Sequence, residues 1–400
     1  MFNLINRRTK LITLILILML SIIPSYASAS EKMDYVTFAK NIIEMDSKNS
    51  DLGTNFDLSK AVTPELASFL KNRADIRQYS IKLNNNYVTN YNVIVNLIEN
   101  KTVQNKVYLK FQVAKSFNYI DLPDVNSGEG TIVEMLIDSK SNKVIDMYSP
   151  GNYFDNLIRG VNLDILNDSN RIGSTQIKAA EAKCTELKDS IRDEYILENI
   201  KVPEPDVSTT PSIITRATRY NLNGNNISAY ARNNYNKQKP ASGNGSVPYY
   251  DFSLISGNWD CTNFVSHALL AGGATVYDTG KSGISGTGWY YRDMNNRSSS
   301  WSGVINLYDF VTTNTTKGPG GTSAIYSTSP GSNRIGDIIQ FHNGSVWIHS
   351  TVVTGTYPLD DRVGALVTGR SANGHYNDNT KASDVYPGYA KRILYLYNYK

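Results

Sequence analysis

The sequence predicts an α+β protein with two domains. Segments of alternating apolar and polar residues lie between helical patterns in the first half of the chain, which is typical of an α+β fold. A stretch rich in proline, serine and threonine at 201–212 interrupts these patterns. The chain is also long enough for two cores. We therefore expect one domain at 30–200, a linker at 201–214 and a second domain at 215–400.

The first 29 residues have the pattern of a secretory signal peptide. Arg7, Arg8 and Lys10 precede an apolar run at 11–23, and small residues follow at 27–29. The run is short for a membrane span, which needs about 20 residues. We expect cleavage after Ala29 and export of a soluble chain that has no transmembrane segment.

The first domain is expected to be an antiparallel meander with a helix at each end. A helix is predicted near Tyr35–Met45, and alternating apolar residues predict strands at 91–100, 105–117 and 130–138. Val93, Val95 and Leu97 share one face of the first strand. The sequence SKSNK forms the expected turn into a fourth strand.

A second helix is predicted where apolar residues recur every three or four positions, at Ile177, Cys184, Leu187, Ile191 and Tyr195. This spacing makes Cys184 a buried apolar residue. A disulfide between Cys184 and Cys261, the two cysteines of the chain, is the alternative.

The two halves of the mature chain carry opposite charge. Before residue 214 there are 21 Lys and Arg against 26 Asp and Glu, and afterwards 16 against 10. The basic second half favours a polyanionic partner. It lacks glutamate, since the last one is Glu204, so a glutamate pair for glycoside hydrolysis is excluded there.

The stretch NWDCTNFVSHALLAGG predicts a short buried helix with Cys261 in its first turn. Phe264, Val265, Ala268 and Leu269 share one face, and Gly272-Gly273 ends the helix. Free N–H groups and the helix dipole at that end favour a thiolate. Asp260 is the expected cap, although its charge works slightly against the thiolate.

A nucleophilic thiol needs a base, and the chain has four histidines. His267 lies on the far side of the Cys261 helix and is excluded. Asn343-Gly344 predicts a two-residue hairpin that would place His349 on a strand opposite Ile338 and leave His342 beside the turn. His349 is therefore the expected base.

These residues resemble the putative amidase domain of secreted Gram-positive bacterial proteins, a branch of the papain-like group that includes CHAP and NlpC-type cell-wall hydrolases. The matching segments span about 170 residues in the family's order. They are Tyr230-Ala231, 248–252, 260–266, 271–273, 288–290, Ser300-Trp301, 336–341 and 347–350.

The resemblance implies a nucleophile helix packed on an antiparallel sheet and hydrolysis of amide bonds in peptidoglycan or a related wall peptide. It gives catalytic roles to Cys261 and His349 and supporting or substrate-binding roles to four more residues. These are Asp260, Asn263, Tyr250 and Trp347. It implies no cofactor and no nucleic-acid partner, and anionic wall polymers fit the basic half.

The sequence departs from the family at the third catalytic position. Arg370-Ser371 stands where the family tends to have His-Thr, and arginine cannot accept a hydrogen bond from His349. Asn373 and His375 are the nearby groups that can, and Asn373 fits a Cys-His-Asn pattern slightly better.

Two other functions are considered. A zinc hydrolase would use His342, His349, His375 and an aspartate, but the helical histidine pair of common zinc peptidases is missing. A wall-binding module that has lost its chemistry is the non-enzymatic alternative.

Overall fold

A computed structural model describes most of the chain. The described residues are 33–160, 163–199, 218–237, 243, 249–252, 260–326, 333–359, 362–371 and 374–400. The predicted signal peptide, the predicted linker and Asn373 lie outside these ranges. We call residues 33–199 the N-terminal unit and residues 218–400 the C-terminal unit. Within the described residues no helix is long and apolar enough to span a membrane.

Two helices open the N-terminal unit. Helix α1, Tyr35–Leu52, begins where the Asp34 carboxylate accepts two backbone N–H bonds and ends at Gly53, whose φ of 65° suits glycine. It extends beyond the predicted helix. Helix α2, Pro64–Asn84, follows, with the Thr63 hydroxyl as its cap.

The predicted meander is confirmed. Its strands are β1, Val88–Val103; β2, Lys106–Tyr119; β3, Leu122–Asp138; and β4, Lys143–Tyr148. All three successive pairs are antiparallel. Val93 and Val95 pack against the core, but Leu97 is 40% exposed because β1 lies at the edge of the sheet, beyond the helices that cover its start.

The N-terminal unit ends in helices. Helix α3, Tyr153–Arg159, precedes a short 3₁₀ turn at Asp168–Asn170 and helix α4, Ser174–Asn199. Cys184, Leu187 and Ile191 lie in the core as the spacing predicted, whereas Tyr195 is 36% exposed. Cys184 and Cys261 are both free, so the disulfide alternative is wrong.

The C-terminal unit alternates helices with short strands before it forms its main sheet. Its helices are α5, Gly224–Asn234; α6, Cys261–Ala271; α7, Ser299–Ser302; α8, Val304–Thr313; and α9, Ala382–Val385. Its strands are β5, Arg219–Tyr220; β6, Ile284–Ser285; β7, Tyr291–Asp293; β8, Asn296–Ser298; β9, Gly318–Ile325; β10, Ile338–His342; β11, Trp347–Leu359; β12, Arg362–Arg370; β13, Tyr376–Lys381; and β14, Ala390–Tyr399.

One large antiparallel sheet runs through both units. Its main path is β1-β2-β3-β13-β12-β11-β10-β14-β5, and β4 and β9 pair at its sides. The units meet where β3 pairs with β13, with Tyr376 opposite Gly130. A β-carbon on Gly130 would lie 2.1 Å from the Tyr376 ring, so this close approach requires glycine. The fold is therefore mixed α and β, as the sequence predicted.

The predicted register of the β10–β11 hairpin is wrong. His349 pairs with Phe341 and not with Ile338, which pairs with Val352. The turn is longer than two residues, because the Asn343 side chain accepts bonds from the backbone N–H groups of Ser345 and Val346. The shift is odd in number, so His349 lies on the opposite face of the sheet from Ile338.

Candidate active site

Helix α6 carries Cys261 at its first residue and lies almost wholly in the protein interior. Phe264 and Leu269 belong to the apolar core that the helix forms with Val352 and its neighbours on one face of the sheet. Gly272 ends the helix, as predicted. Burial along its whole length fixes the helix, so Cys261 has a defined position.

Asp260 does not cap helix α6 with its side chain, contrary to the prediction. Its buried carboxylate instead pairs with the Arg370 guanidinium at 3.2 Å and accepts bonds from the Phe252 backbone N–H, Asn263 Nδ2 and the Tyr249 hydroxyl. Burial raises the pKa of Asp260 to about 7, although Arg370 opposes the rise. The hydrogen bonds to the Asp260 oxygens therefore come from two side chains and from the Phe252 N–H, and not from the backbone N–H groups that begin helix α6.

The start of helix α6 lies where two strands separate. The β11–β12 ladder ends with the pair Val352 and Thr368, and Arg370 and Ser371 continue past it. There the Asp260 backbone N–H donates to the Ser371 carbonyl at 3.2 Å. The first residue of the helix therefore reaches the level of the sheet.

Cys261 is 2% exposed, and burial raises the pKa of its thiol. The backbone N–H of Ser350 and the hydroxyl of Thr262, 3.7 Å from the sulfur, favour the thiolate, but burial outweighs them. The thiolate expected from the position at the helix start is therefore not the resting form in this structure.

His349 is the third residue of β11 and is 2% exposed. Its ring centroid lies 5.9 Å from that of Phe341 and 5.4 Å from that of Tyr386. Burial lowers the pKa of His349 to about 3, so the imidazole is neutral. A β-carbon on Gly369 would approach its Nε2 to 3.4 Å, so glycine at that position leaves room for the ring.

Tyr386 lies near both Cys261 and His349. Its ring packs edge-on against His349, and its phenol lies near enough to Cys261 for the sulfur to add to the burial that raises the phenol pKa. Ser350, next to His349 in the chain, directs its backbone N–H at the sulfur. Cys261 and His349, the two predicted catalytic residues, thus share Tyr386 as a neighbour. The sequence reasoning missed Tyr386, which belongs to no motif.

The described residues include His375 but not Asn373, the two candidates for the predicted third catalytic group. His349 Nδ1 is buried and has no hydrogen-bond partner among them. Asn373, the predicted partner, lies outside them. His375 is buried beside the N-terminal unit, where its Nδ1 lies 3.2 Å from the Thr131 hydroxyl.

The predicted supporting residues have different surroundings. Asn263 donates to the Tyr250 carbonyl at 2.7 Å and accepts from the Trp301 indole N–H at 2.7 Å, so it holds the helix start in place. Trp347 covers the Arg392 guanidinium at 3.9 Å, on the sheet face opposite His349. Substrate contacts by Tyr250 and Trp347 stay predictions.

Arg370 has a structural role, as a buried cation, that the sequence did not predict. It is 4% exposed, donates to Asp251 and to the Lys237 carbonyl, and pairs with Asp260. Its single positive charge is therefore shared by two buried carboxylates, and it links β12 to Asp260, the residue before helix α6.

A cavity of about 160 Å³ lies between the two units. His349, His375 and Tyr386 line it from the C-terminal unit, and residues of α1, α2, β2 and β3 line it from the N-terminal unit. The N-terminal unit thus provides one wall beside His349. Within the described part of the chain no three His, Cys, Asp or Glu are grouped to hold a metal ion, so the zinc set is not assembled there.

The fold and site define a mixed α/β protein with a buried cysteine at a helix start and a buried histidine on the adjoining sheet. Residues 221–397 match the family described as "putative amidase domain". The match supports amide hydrolysis as the general activity of this region and agrees with the resemblance seen in the sequence. No curated protein and no solved structure matches the chain.

Proposed function

We propose that the C-terminal unit is a cysteine-dependent amide hydrolase of papain-like arrangement that acts on peptidoglycan or a related wall peptide. The observation that carries the proposal is the convergence of Cys261 and His349 on Tyr386 and Ser350, inside the region that matches the amidase family.

The neutral imidazole is the form that a general base requires. His349 takes the thiol proton as the sulfur of Cys261 attacks the amide carbonyl, and the backbone N–H of Cys261 donates to the oxyanion. The imidazolium then gives its proton to the leaving amine, and a thioester remains. Water, deprotonated by His349, hydrolyses the thioester and restores the thiol.

The proposed third group is Asn373. A group that accepts from the second ring nitrogen of His349 fixes its tautomer, and Nδ1 has no partner among the described residues. In the sequence, Asn373 follows Ser371 by two residues, and β12, the strand next to β11, ends at Arg370. His375 is the weaker candidate, because Thr131 already occupies its Nδ1.

We propose a secreted or wall-associated location and an anionic wall as partner. The N-terminal segment and the excess of six positive charges after residue 214 support both. Retention of the full chain on purified walls should fall at about 1 M salt, where the screening length is about 3 Å. Retention that does not change with salt concentration would contradict the electrostatic argument.

The main experiment is digestion of purified peptidoglycan followed by mass spectrometry of the products, which identifies the bond that is cleaved. Cys261→Ala should abolish cleavage, and Cys184→Ala, at the other free cysteine, should not. Full activity of Cys261→Ala would refute the thiol mechanism. Absence of cleavage by the unaltered protein would favour the wall-binding alternative.

The base is tested with paired histidine variants. His349→Ala should lower the rate by several orders of magnitude, whereas His342→Ala should have little effect, because His342 lies beside the turn and accepts a bond from Gly344. Asn373→Ala should lower it about tenfold or more, which is about 1.4 kcal/mol of barrier. Near-normal turnover by His349→Ala would remove His349 from the mechanism.

A further inference from the structure

The cavity between the units is larger than unfilled packing space. Its volume of about 160 Å³ is roughly ten times what one water molecule needs. Its walls come from both units and carry ionised side chains, and His349 lies in one wall. A substrate held beside His349 would therefore also touch the N-terminal unit.

Acidic groups outnumber basic groups in the network of ion pairs formed by three cations in the N-terminal wall of this cavity. Arg73 pairs with Asp46 and Asp155, Arg77 pairs with Asp51, Glu129 and Asp384, and Lys115 pairs with Asp51 and Glu129. Five carboxylates thus share three cations among the described residues. Such an excess of buried negative charge favours an added cation.

Glu129 is held by the cations of this network only through long contacts. Its contacts with Arg77 and Lys115 are 3.3 and 3.9 Å long. Asp51, by contrast, accepts from Lys115 at 2.6 Å and from Tyr91 at 2.7 Å, and it also pairs with Arg77. Burial raises the pKa of Glu129, which agrees with incomplete neutralisation.

Glu129 is also well placed relative to the proposed chemistry. It lies on β3 opposite Asn377 of β13, in the strand pair that joins the units. His349, the proposed base, lines the same cavity and is 2% exposed. The cavity therefore has an under-neutralised carboxylate and the proposed base in its walls, which suits an occupant that carries a cationic group and an amide.

We propose that this cavity binds the ammonium group of a peptide substrate at Glu129 while the amide to be cleaved lies at His349. The inference rests on the proposed function. The ammonium belongs either to the free N-terminus of the peptide or to the side chain of a diamino acid. The N-terminal unit is thus the part of the protein that selects the substrate.

The test compares synthetic wall peptides that differ only in their amines. One has a free N-terminus, one has a free side-chain amine, and one has both acetylated. The full-length protein should cleave one of the amine peptides roughly ten- to hundredfold more efficiently, in kcat/KM, than the acetylated peptide. The amine peptide that is cleaved more efficiently than the acetylated peptide shows whether the ammonium comes from the N-terminus or from the side chain.

Glu129→Gln should lower kcat/KM for the preferred amine peptide to roughly the value for the acetylated peptide, and so remove the preference. Glu134→Gln is the matched control, because Glu134 lies on the same strand, pairs with Lys110 and does not line the cavity. Glu129→Asp, which keeps the charge, should retain part of the preference. Melting temperatures of the variants separate misfolding from loss of recognition.

Three outcomes distinguish the two proposals. Equal cleavage of all peptides by the unaltered protein would overturn the ammonium site and leave the amidase function intact. Cleavage of none, with amine-selective binding that Glu129→Gln abolishes, would overturn the amidase function and support the ammonium site. Neither cleavage nor selective binding would overturn both.

Discussion

Replacing Arg370 by methionine should destabilise the protein and do so more at high pH. The guanidinium is buried against Asp251 and Asp260, both of which are 0% exposed. Methionine keeps much of the side-chain volume but removes a positive charge that both buried carboxylates contact. Removing one partner of a buried ion pair costs about 3 to 5 kcal/mol in the free energy of unfolding.

The pH dependence follows from Asp260. Burial raises its pKa to about 7 in the presence of Arg370, which lowers it, so loss of Arg370 must raise it further. Asp260 therefore has a higher pKa in the folded variant than in the folded wild-type protein. At a pH between these two values, Asp260 is protonated in the folded variant and ionised in the folded wild-type protein. The destabilisation should therefore grow above about pH 7, by up to about 1.4 kcal/mol per pH unit.

Urea unfolding of both proteins at about pH 7 and about pH 9 measures this difference. Arg232→Met is the control, because the Arg232 side chain is 36% exposed and its pair with Asp378 should contribute about 1 kcal/mol or less. The reasoning fails if Arg370→Met costs no more than the control or if its cost does not change with pH.

Three further predictions concern buried groups. Iodoacetamide should label Cys261 nearly a hundredfold faster at about pH 9 than at about pH 7, because burial raises its pKa and the thiolate reacts; a flat profile would indicate a resting ion pair. Tyr386→Ala should speed that labelling about tenfold or more, since its ring packs beside the site; an unchanged rate would show that another group limits access. Burial lowers the pKa of His267 to about 3. As the pH falls below about 6.5, the unfolded chain binds a proton at His267 that the folded protein does not bind, so the free energy of unfolding decreases. Compared with wild type, His267→Phe should gain about 1.4 kcal/mol of unfolding free energy per pH unit between about pH 6 and pH 4, and equal slopes would refute this.

The sequence alone determined the local elements. Alternating apolar residues predicted the strands of the N-terminal meander, and the spacing around Cys261 predicted a buried helix that ends at Gly272, because both patterns act over a few residues. Burial of Cys184 followed from the same periodicity.

Only the tertiary structure decided which groups meet. The face that His349 presents depends on a turn formed by the Asn343 side chain, and a shift of register reverses that face. The contact of Tyr386 with His349 and the ion pair of Arg370 with Asp260 join residues from different elements. Such contacts, like the cavity wall that Glu129 supplies, depend on how the sheet continues from one unit into the other, and no local pattern of residues encodes that path.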